Sequence, residues 1–257
     1  MIQVIKLGGA ILEDDHLRRQ VLADFAKVQG QKLLIHGGGR DADQLATTLG
    51  VPVQKVEGRR VTDADTLRLV TMAFGGWLNK RIVTELQALG VNALGVSGAD
   101  GNLVRSTRRP ANPVDYGFVG DVVPQGVAAK QILQLMEAGF TPVFCALTHD
   151  GNGQLLNTNA DTLASVIAQA LAQEAPTSLS LCFEHAGVLT NPKDPDSWLK
   201  SMNPSDRDRM RELGQVSAGM LPKLEEGFKA KRAGAQRVWI KSANQLAEIT
   251  GTELVVE

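Results

Sequence analysis

KLLIHGGGRDADQL, residues Lys32 to Leu45, is an apolar run that stops at three glycines and resumes with helical spacing. A buried strand ends at His36, Gly37 to Gly39 follow, and a helix over about Asp41 to Leu49 begins straight after them. Three consecutive glycines are costly in chain entropy, so a close approach of backbone to ligand explains them better than a plain turn. The helix behind them turns its unpaired first-turn N–H groups towards the loop. The spacing matches neither GxxxxGK[ST] nor GxGxxG, so any phosphate site here is of another kind.

The same grammar extends in both directions. IQVIKL (Ile2 to Leu7) reads as a strand running into Gly8 and Gly9, followed by a polar helix through LRRQVLADFAKVQ. VNALGVSG, TPVFCALTH, SLSLCF and QRVWIKS read as further strands, with TPVFCALTH central. Helical patterns cover Asp63 to Leu89, ADTLASVIAQALAQ, and Leu221 to Ala233 with Pro222 in its first turn. Pro52 to Thr62 reads as an extended or hairpin excursion, and Asn102 to Val122, rich in Gly, Pro and Arg, as a β-hairpin. Strands alternating with helices predict an α/β fold, an αβα sandwich around a central, mostly parallel sheet. A second βα set starts near Thr177 without a flexible linker. The expected division is an N-lobe of residues 1–175 and a C-lobe of residues 176–257 sharing one sheet.

Bulk composition narrows the function. Hydrophobic residues make up 43% and charged residues 21%, an ordinary globular balance, and 257 residues suffice for a large core. A net charge of −1 leaves no basic footprint for nucleic acid. No apolar run is long enough to span a membrane, and the N-terminus opens directly on strand-like MIQVIKL, so a cytoplasmic protein is expected. Cys145 and Cys182 fall in apolar strands and read as buried free thiols. The four histidines have no metal-ligand spacing.

Four further segments carry polar chemistry. Lys6 stands before Gly8-Gly9, and Lys223 closes AGMLPK; cations on two sides of a transferring phosphoryl group suit that reaction. Lys6 also reads as a surface lysine capping a strand. NTNAD places Asn157, Asn159 and Asp161 between a strand and a helix. There Asn159 is equally suited to cap the helix and Asp161 to favour its dipole, or Asp161 to hold two ammonium groups in register. Arg60, in EGRRVTD, could fork onto a carboxylate or stay solvated.

In order, K-x-G-G, H-G-G-G, G-x-R-V-T, N-x-N-A-D and G-M-x-P-K resemble the amino acid kinase family across essentially the whole chain. Asn79-Lys80, DYGFVGDV and Gly251-Thr252 add smaller matches. The resemblance implies an N-lobe for an amino acid and a C-lobe for ATP. It assigns Lys6 and Lys223 to the γ-phosphoryl group, and Asp161 to organising them. Gly9, Gly38 and Gly39 would give backbone N–H groups to the phosphoryl group and acceptor carboxylate. Arg60 and Asn157, with Asn159 close by, would hold the α-carboxylate of the substrate.

The reaction so implied moves phosphate from ATP to the γ-carboxylate of an N-acyl-L-glutamate, the second step of arginine biosynthesis, with Mg²⁺ carried by the ATP phosphates. The acyl group is acetyl, with succinyl as the alternative. CFEHAGVL, GRRVTDADTL and THDG resemble a succinyl-using branch, and Arg59 or the Arg105/Arg108/Arg109 cluster would meet the extra carboxylate. Relatives carry S/T-D-V-x-G beside the nucleotide where this chain has Phe183-Glu184-His185-Ala186-Gly187, and Gly-Gly-Met where it has Ala218-Gly219-Met220. Glu184, Gly187, Val216 and Ser217 are the ATP contacts expected by resemblance. Strand one begins at Ile2 and leaves no room for the N-terminal helix of arginine-inhibited hexameric relatives, so the expectation is a homodimer without arginine feedback. Docking of a PII-type protein is left open. A nucleotide-binding regulator of the same fold is the remaining alternative.

Overall fold

The computed structural model describes residues 1–56, 58–191, 193–216 and 219–256. The chain opens with β1 (Ile2–Leu7), the single-turn helix α1 (Gly9–Glu13), α2 (Asp15–Lys27), β2 (Lys32–His36) and α3 (Gly39–Leu49). A small hairpin of β3 (Lys55–Val56) and β4 (Arg59–Arg60) leads to α4 (Ala64–Val70), a π-helical stretch (Thr71–Leu78) and α5 (Asn79–Ala88). Then come β5 (Ala93–Val96), β6 (Val104–Arg108), β7 (Gly120–Val127), α6 (Ala129–Glu137), β8 (Thr141–Cys145), β9 (Leu147–His149) and β10 (Leu155–Asn157). The remainder is α7 (Ala160–Ala172), β11 (Thr177–Phe183), β12 (Ser201–Met202), α8 (Pro204–Glu212), α9 (Met220–Arg232), β13 (Arg237–Ser242) and β14 (Thr252–Leu254).

Among the described residues an eight-stranded sheet runs β12-β14-β13-β11-β1-β2-β8-β5. From β5 to β13 every pairing is parallel; β14 runs antiparallel to β13, and β12 pairs parallel with β14, so both strands at that end of the sheet are reversed. Side-chain alternation sorts the central strands between two helical layers. Val4, Leu33 and Ile35 pack with α6, α7 and α9. Ile5, Leu7 and Leu34 pack with α1, α2 and α5 on the other face. The αβα sandwich expected from the strand–helix alternation is therefore present.

Two elements differ from their sequence reading. TPVFCALTH is two strands, because the Ala146 carbonyl accepts from Thr158 N–H (3.1 Å) instead of continuing the main ladder. Beyond it β9 joins a second, four-stranded sheet with β10, β6 and β7, which contains the expected hairpin. The helix expected over Asp63 to Leu89 widens into the π-helical stretch, which spans the Gly75-Gly76 pair. Missed altogether were α1, α6, α8, β10, β12 and β14. The start of α8 was legible in NPSD: Asn203 and Asp206 form a reciprocal capping box around Pro204.

Arg18, wholly buried, ties α2 to α1 and α5 by donating to the Leu12 carbonyl (2.9 Å) and to both oxygens of Glu85. Glu85→Ala leaves that guanidinium with the Leu12 carbonyl and a single charged partner, the exposed Asp15, and should cost about 3 kcal/mol in urea unfolding. A loss below about 1 kcal/mol would show that the pair is no more than a surface bridge.

Candidate functional site

Strands β1, β2, β8 and β11 finish level: Leu7 lies opposite both His36 and Cys182, and His36 opposite Cys145. At the carboxyl edge of an open parallel sheet, backbone groups are released from the ladder and helix N-termini converge, which is where such folds bind ligands. Lys6, one residue before the end of β1, points to the α7 face by alternation. There its Nζ lies 2.8 Å from Asp161 Oδ1. Lys223 Nζ, from α9, reaches the same oxygen at 2.9 Å.

The local sequence explains each placement. Asn159 caps α7, its Oδ1 accepting from the N–H groups of Asp161 (2.8 Å) and Thr162 (3.0 Å). Asp161 thus sits in the first turn, where the helix dipole favours a carboxylate. Lys223 sits in the first turn of α9, where the dipole disfavours a cation, so Asp161 is what holds it. Burial opposes ionisation of Asp161, but the charges of Lys6 and Lys223 outweigh it and keep its carboxyl well below the usual range. Burial, and then the nearby Lys6 charge, lower the pKa of Lys223. All three side chains are less than a fifth exposed.

Beside this trio lies a cavity of about 290 Å³ whose wall includes Lys6, Gly9, Gly38, Gly39, Arg60, Asn157, Asn159 and Asp161. Eight residues singled out from the sequence are therefore gathered around one space. Gly38 is required by contact, since a Cβ there would stand 2.8 Å from Phe74 Cδ1. Arg60 is held by Asp43 (2.8 Å) and donates to the Gly39 carbonyl (2.8 Å). Asn157, almost wholly buried, donates to Thr62 Oγ1 (3.1 Å). Asn159 does serve as the helix cap, and among the described residues its amide nitrogen has no hydrogen-bond partner.

Lys55, Arg59 and Arg109 also reach the cavity wall. Lys55 was missed, and nothing in its local sequence distinguishes it from a solvated lysine. Of the hairpin arginines, Arg105 and Arg108 are not on the wall, and Arg108 pairs with Asp115 on the surface.

A second cleft of about 150 Å³, mostly apolar, opens between the end of β11 and the approach to α9, lined by Phe183, His185, Gly187, Val216 and Met220 among others. Gly187 and Val216, two of the four residues expected to contact the nucleotide, thus line one cleft. Glu184 is exposed and stands off the cleft wall: the chain bends beyond β11, and Phe183 and the partly solvent-facing His185, their rings edge-on at 5.5 Å, line the cleft while Glu184 does not. Ser217 lies outside the described residues.

Glycine loops and paired ammonium groups at the carboxyl ends of a parallel sheet define an α/β protein built to grip an anionic, phosphate-sized group. The amino acid kinase family profile matches residues 1–242. An acetylglutamate kinase of Phocaeicola vulgatus is 48% identical over 98% of this chain and 97% of its own length. Another from Bacteroides thetaiotaomicron is 46% identical over 98% of each. Among solved structures, smu.665 from Streptococcus mutans superposes with a TM-score of 0.80 at 29% identity, covering 99% of this chain and 98% of that one. The chain belongs to the amino acid kinase family.

Asp161→Asn leaves two ammonium groups facing each other and should lower stability at pH 7 by about 3 kcal/mol. Because the native carboxyl titrates below its unfolded value of about 3.9, the difference from wild type is full above about pH 5. It shrinks progressively as pH falls below the unfolded value and is lost once pH has passed through the depressed native value. Unfolding curves at pH 7 and pH 5 that differ in this gap would contradict the assignment.

Proposed function

We propose that the chain transfers the γ-phosphoryl group of ATP to the γ-carboxylate of N-acetyl-L-glutamate, giving an acyl phosphate. The observation that carries this reading is the Lys6–Asp161–Lys223 trio between the glycine-walled cavity and the apolar cleft, in a chain nearly half identical to acetylglutamate kinases. The acceptor carboxylate is ionised near pH 7 and needs no general base. Catalysis then rests on alignment and charge neutralisation.

In this reading acetylglutamate occupies the cavity. Arg60 forks onto its α-carboxylate beside Asn157 and Asn159, and the N–H groups of Gly9, Gly38 and Gly39 face the reacting oxygens. The adenine side of ATP takes the apolar cleft against Gly187 and Val216, with its phosphates directed at Lys223. The two ammonium groups leave Asp161 in part for the phosphoryl oxygens, and Asp161 keeps them in register throughout. Among the described residues no three His, Cys, Asp or Glu side chains converge on a metal-sized site. In this reading Mg²⁺ would be carried by the ATP phosphates and would offset their charge.

The division into an acylglutamate-binding segment, residues 1–175, and an ATP-binding segment, residues 176–257, follows from these two sites. Pairing into a homodimer belongs to the same reading, supported by exposed Met72 (45%), which shares a cavity wall with Gly95 and Val96 of the edge strand β5, and by exposed Trp77 (62%) on the same π-helical stretch. Among the described residues no helix is long and apolar enough to cross a membrane.

N-succinyl-L-glutamate is the second reading, favoured by Arg59 and Arg109 on the cavity wall. A succinyl tail adds a carboxylate that either arginine could meet, although Arg109 is already engaged by Asp121. The kcat/KM ratio of the two substrates decides between them. A succinyl preference above about tenfold, or 1.4 kcal/mol, selects the second reading. A nucleotide-binding regulator would give neither product.

Acetylglutamate- and ATP-dependent hydroxamate formation in the presence of hydroxylamine tests the activity itself. Lys223→Ala should lower kcat by about 10²–10³-fold and change the KM for acetylglutamate by less than about threefold. A raised KM with kcat intact would remove Lys223 from the transfer step.

A further inference from the structure

His36 ends β2 at the cavity and takes no part in the transfer chemistry above. Its ring is wholly buried, on the α5 face of the sheet. Nδ1 lies 2.7 Å from the Gly37 carbonyl, and Nε2 lies 3.0 Å from the amide nitrogen of Asn79. The orientation of that amide is fixed by two other groups. Its nitrogen also donates to the Val143 carbonyl (2.9 Å), and its oxygen accepts from Lys80 Nζ (3.2 Å). A carbonyl can only accept and an ammonium only donate, so Asn79 cannot be turned over. Nε2 of His36 must then accept, and the single proton of the neutral imidazole resides on Nδ1. Burial lowers the ring pKa to about 4, so it is neutral at pH 7.

The proton on Nδ1 has a consequence for the loop. The Gly37–Gly38 peptide is planar and trans, so its N–H points opposite to its C=O. Holding the Gly37 carbonyl against His36 turns the Gly38 N–H the other way. Among the described residues that N–H has no backbone acceptor, and Gly37, Gly38 and Gly39 all line the cavity. A peptide between two glycines flips at little conformational cost. Flipped, it would present a carbonyl dipole to the anion in place of a donor. The π-helical stretch supports the same loop: Phe74 and Leu78 fill the space where a Gly38 side chain would stand, and Asn79 follows at once.

We propose that His36 is a positioning residue: pinned by Asn79, it holds the Gly37 carbonyl through Nδ1–H and so keeps the Gly38 N–H directed at the anion in the cavity. The identity of that anion, the reacting carboxylate or phosphoryl group, rests on the function proposed above.

Two variants separate the ring's two contacts. His36→Asn keeps an amide donor near the Nδ1 position and gives up the Asn79 contact. His36→Gln keeps an acceptor near the Nε2 position and gives up the donor to Gly37. His36→Gln should lower kcat by ~10²-fold with the KM for ATP changed less than ~threefold, while His36→Asn stays within ~fivefold of wild-type kcat. Both should lose Tm to a similar degree. Equal losses of kcat in the two variants, or losses that track Tm, would overturn the proposal. Imidazole ¹⁵N shifts of the wild-type protein at pH 7.5 read the tautomer without turnover or mutation: the Nδ1–H form is expected, and the Nε2–H form refutes it. Wild-type protein with no acetylglutamate-dependent turnover would defeat the functional reading instead, and the ¹⁵N measurement would still decide the ring's role.

Discussion

A single carboxylate oxygen, Asp161 Oδ1, carries two ammonium groups drawn from distant parts of the chain. Much of the site depends on that contact. Two buried cations so close would repel strongly in a medium of reduced dielectric, and the sheet edge could not hold them without the anion. The cap from Asn159 and the first-turn dipole of α7 both favour a charged Asp161, so local helix physics supplies part of the stabilisation. With the anion shared, each ammonium keeps donors free for another partner. A phosphoryl group arriving between them would find charge already assembled, with little reorganisation left to make.

The sheet decides which groups can reach that point. Alternation in β1 sends Lys6 towards α7, and alternation in β2 sends His36 towards α5. The cavity edge therefore has a charged side and a neutral, hydrogen-bonded side. On the first, cations face the site; on the second, a buried histidine and asparagine brace the glycine loop against the core. Close packing of Phe74 against Gly38 links this bracing to the π-helical stretch, whose wider turn places Phe74, Leu78 and Asn79 along one side. Substitution at Gly38 would disturb both at once.

Much of this was legible in the residues. The strand–glycine–helix transitions at Gly8-Gly9 and Gly37 to Gly39 reveal the α/β grammar, because glycine and apolar periodicity are local signals. The division of TPVFCALTH was not legible, since Ala146 looks like any strand residue and only the Thr158 N–H, supplied from beyond β10, diverts it. The exposed position of Glu184, off the wall of the apolar cleft, was not legible for a related reason. Charge at a motif position suggested a ligand contact, but side-chain direction after a strand end depends on backbone turns that charge does not report. Arg60 and Asn157 were found by motif, whereas Lys55 carries no mark of its own and joins the cavity through the hairpin's position alone.

By itself the sequence determined the alternating elements, the two glycine loops, and the residue types able to meet an anion, because these follow from periodicity, backbone freedom and charge over short spans. Tertiary structure alone decided that Lys6 and Lys223 share one oxygen of Asp161, that Arg109 and not Arg105 or Arg108 reaches the cavity, and that His36 carries its proton on Nδ1. Each of those depends on contacts between segments far apart in the chain. Distances and hydrogen-bond directions between such segments are set by how the sheet orders and aligns its strands, and no local stretch of sequence contains them.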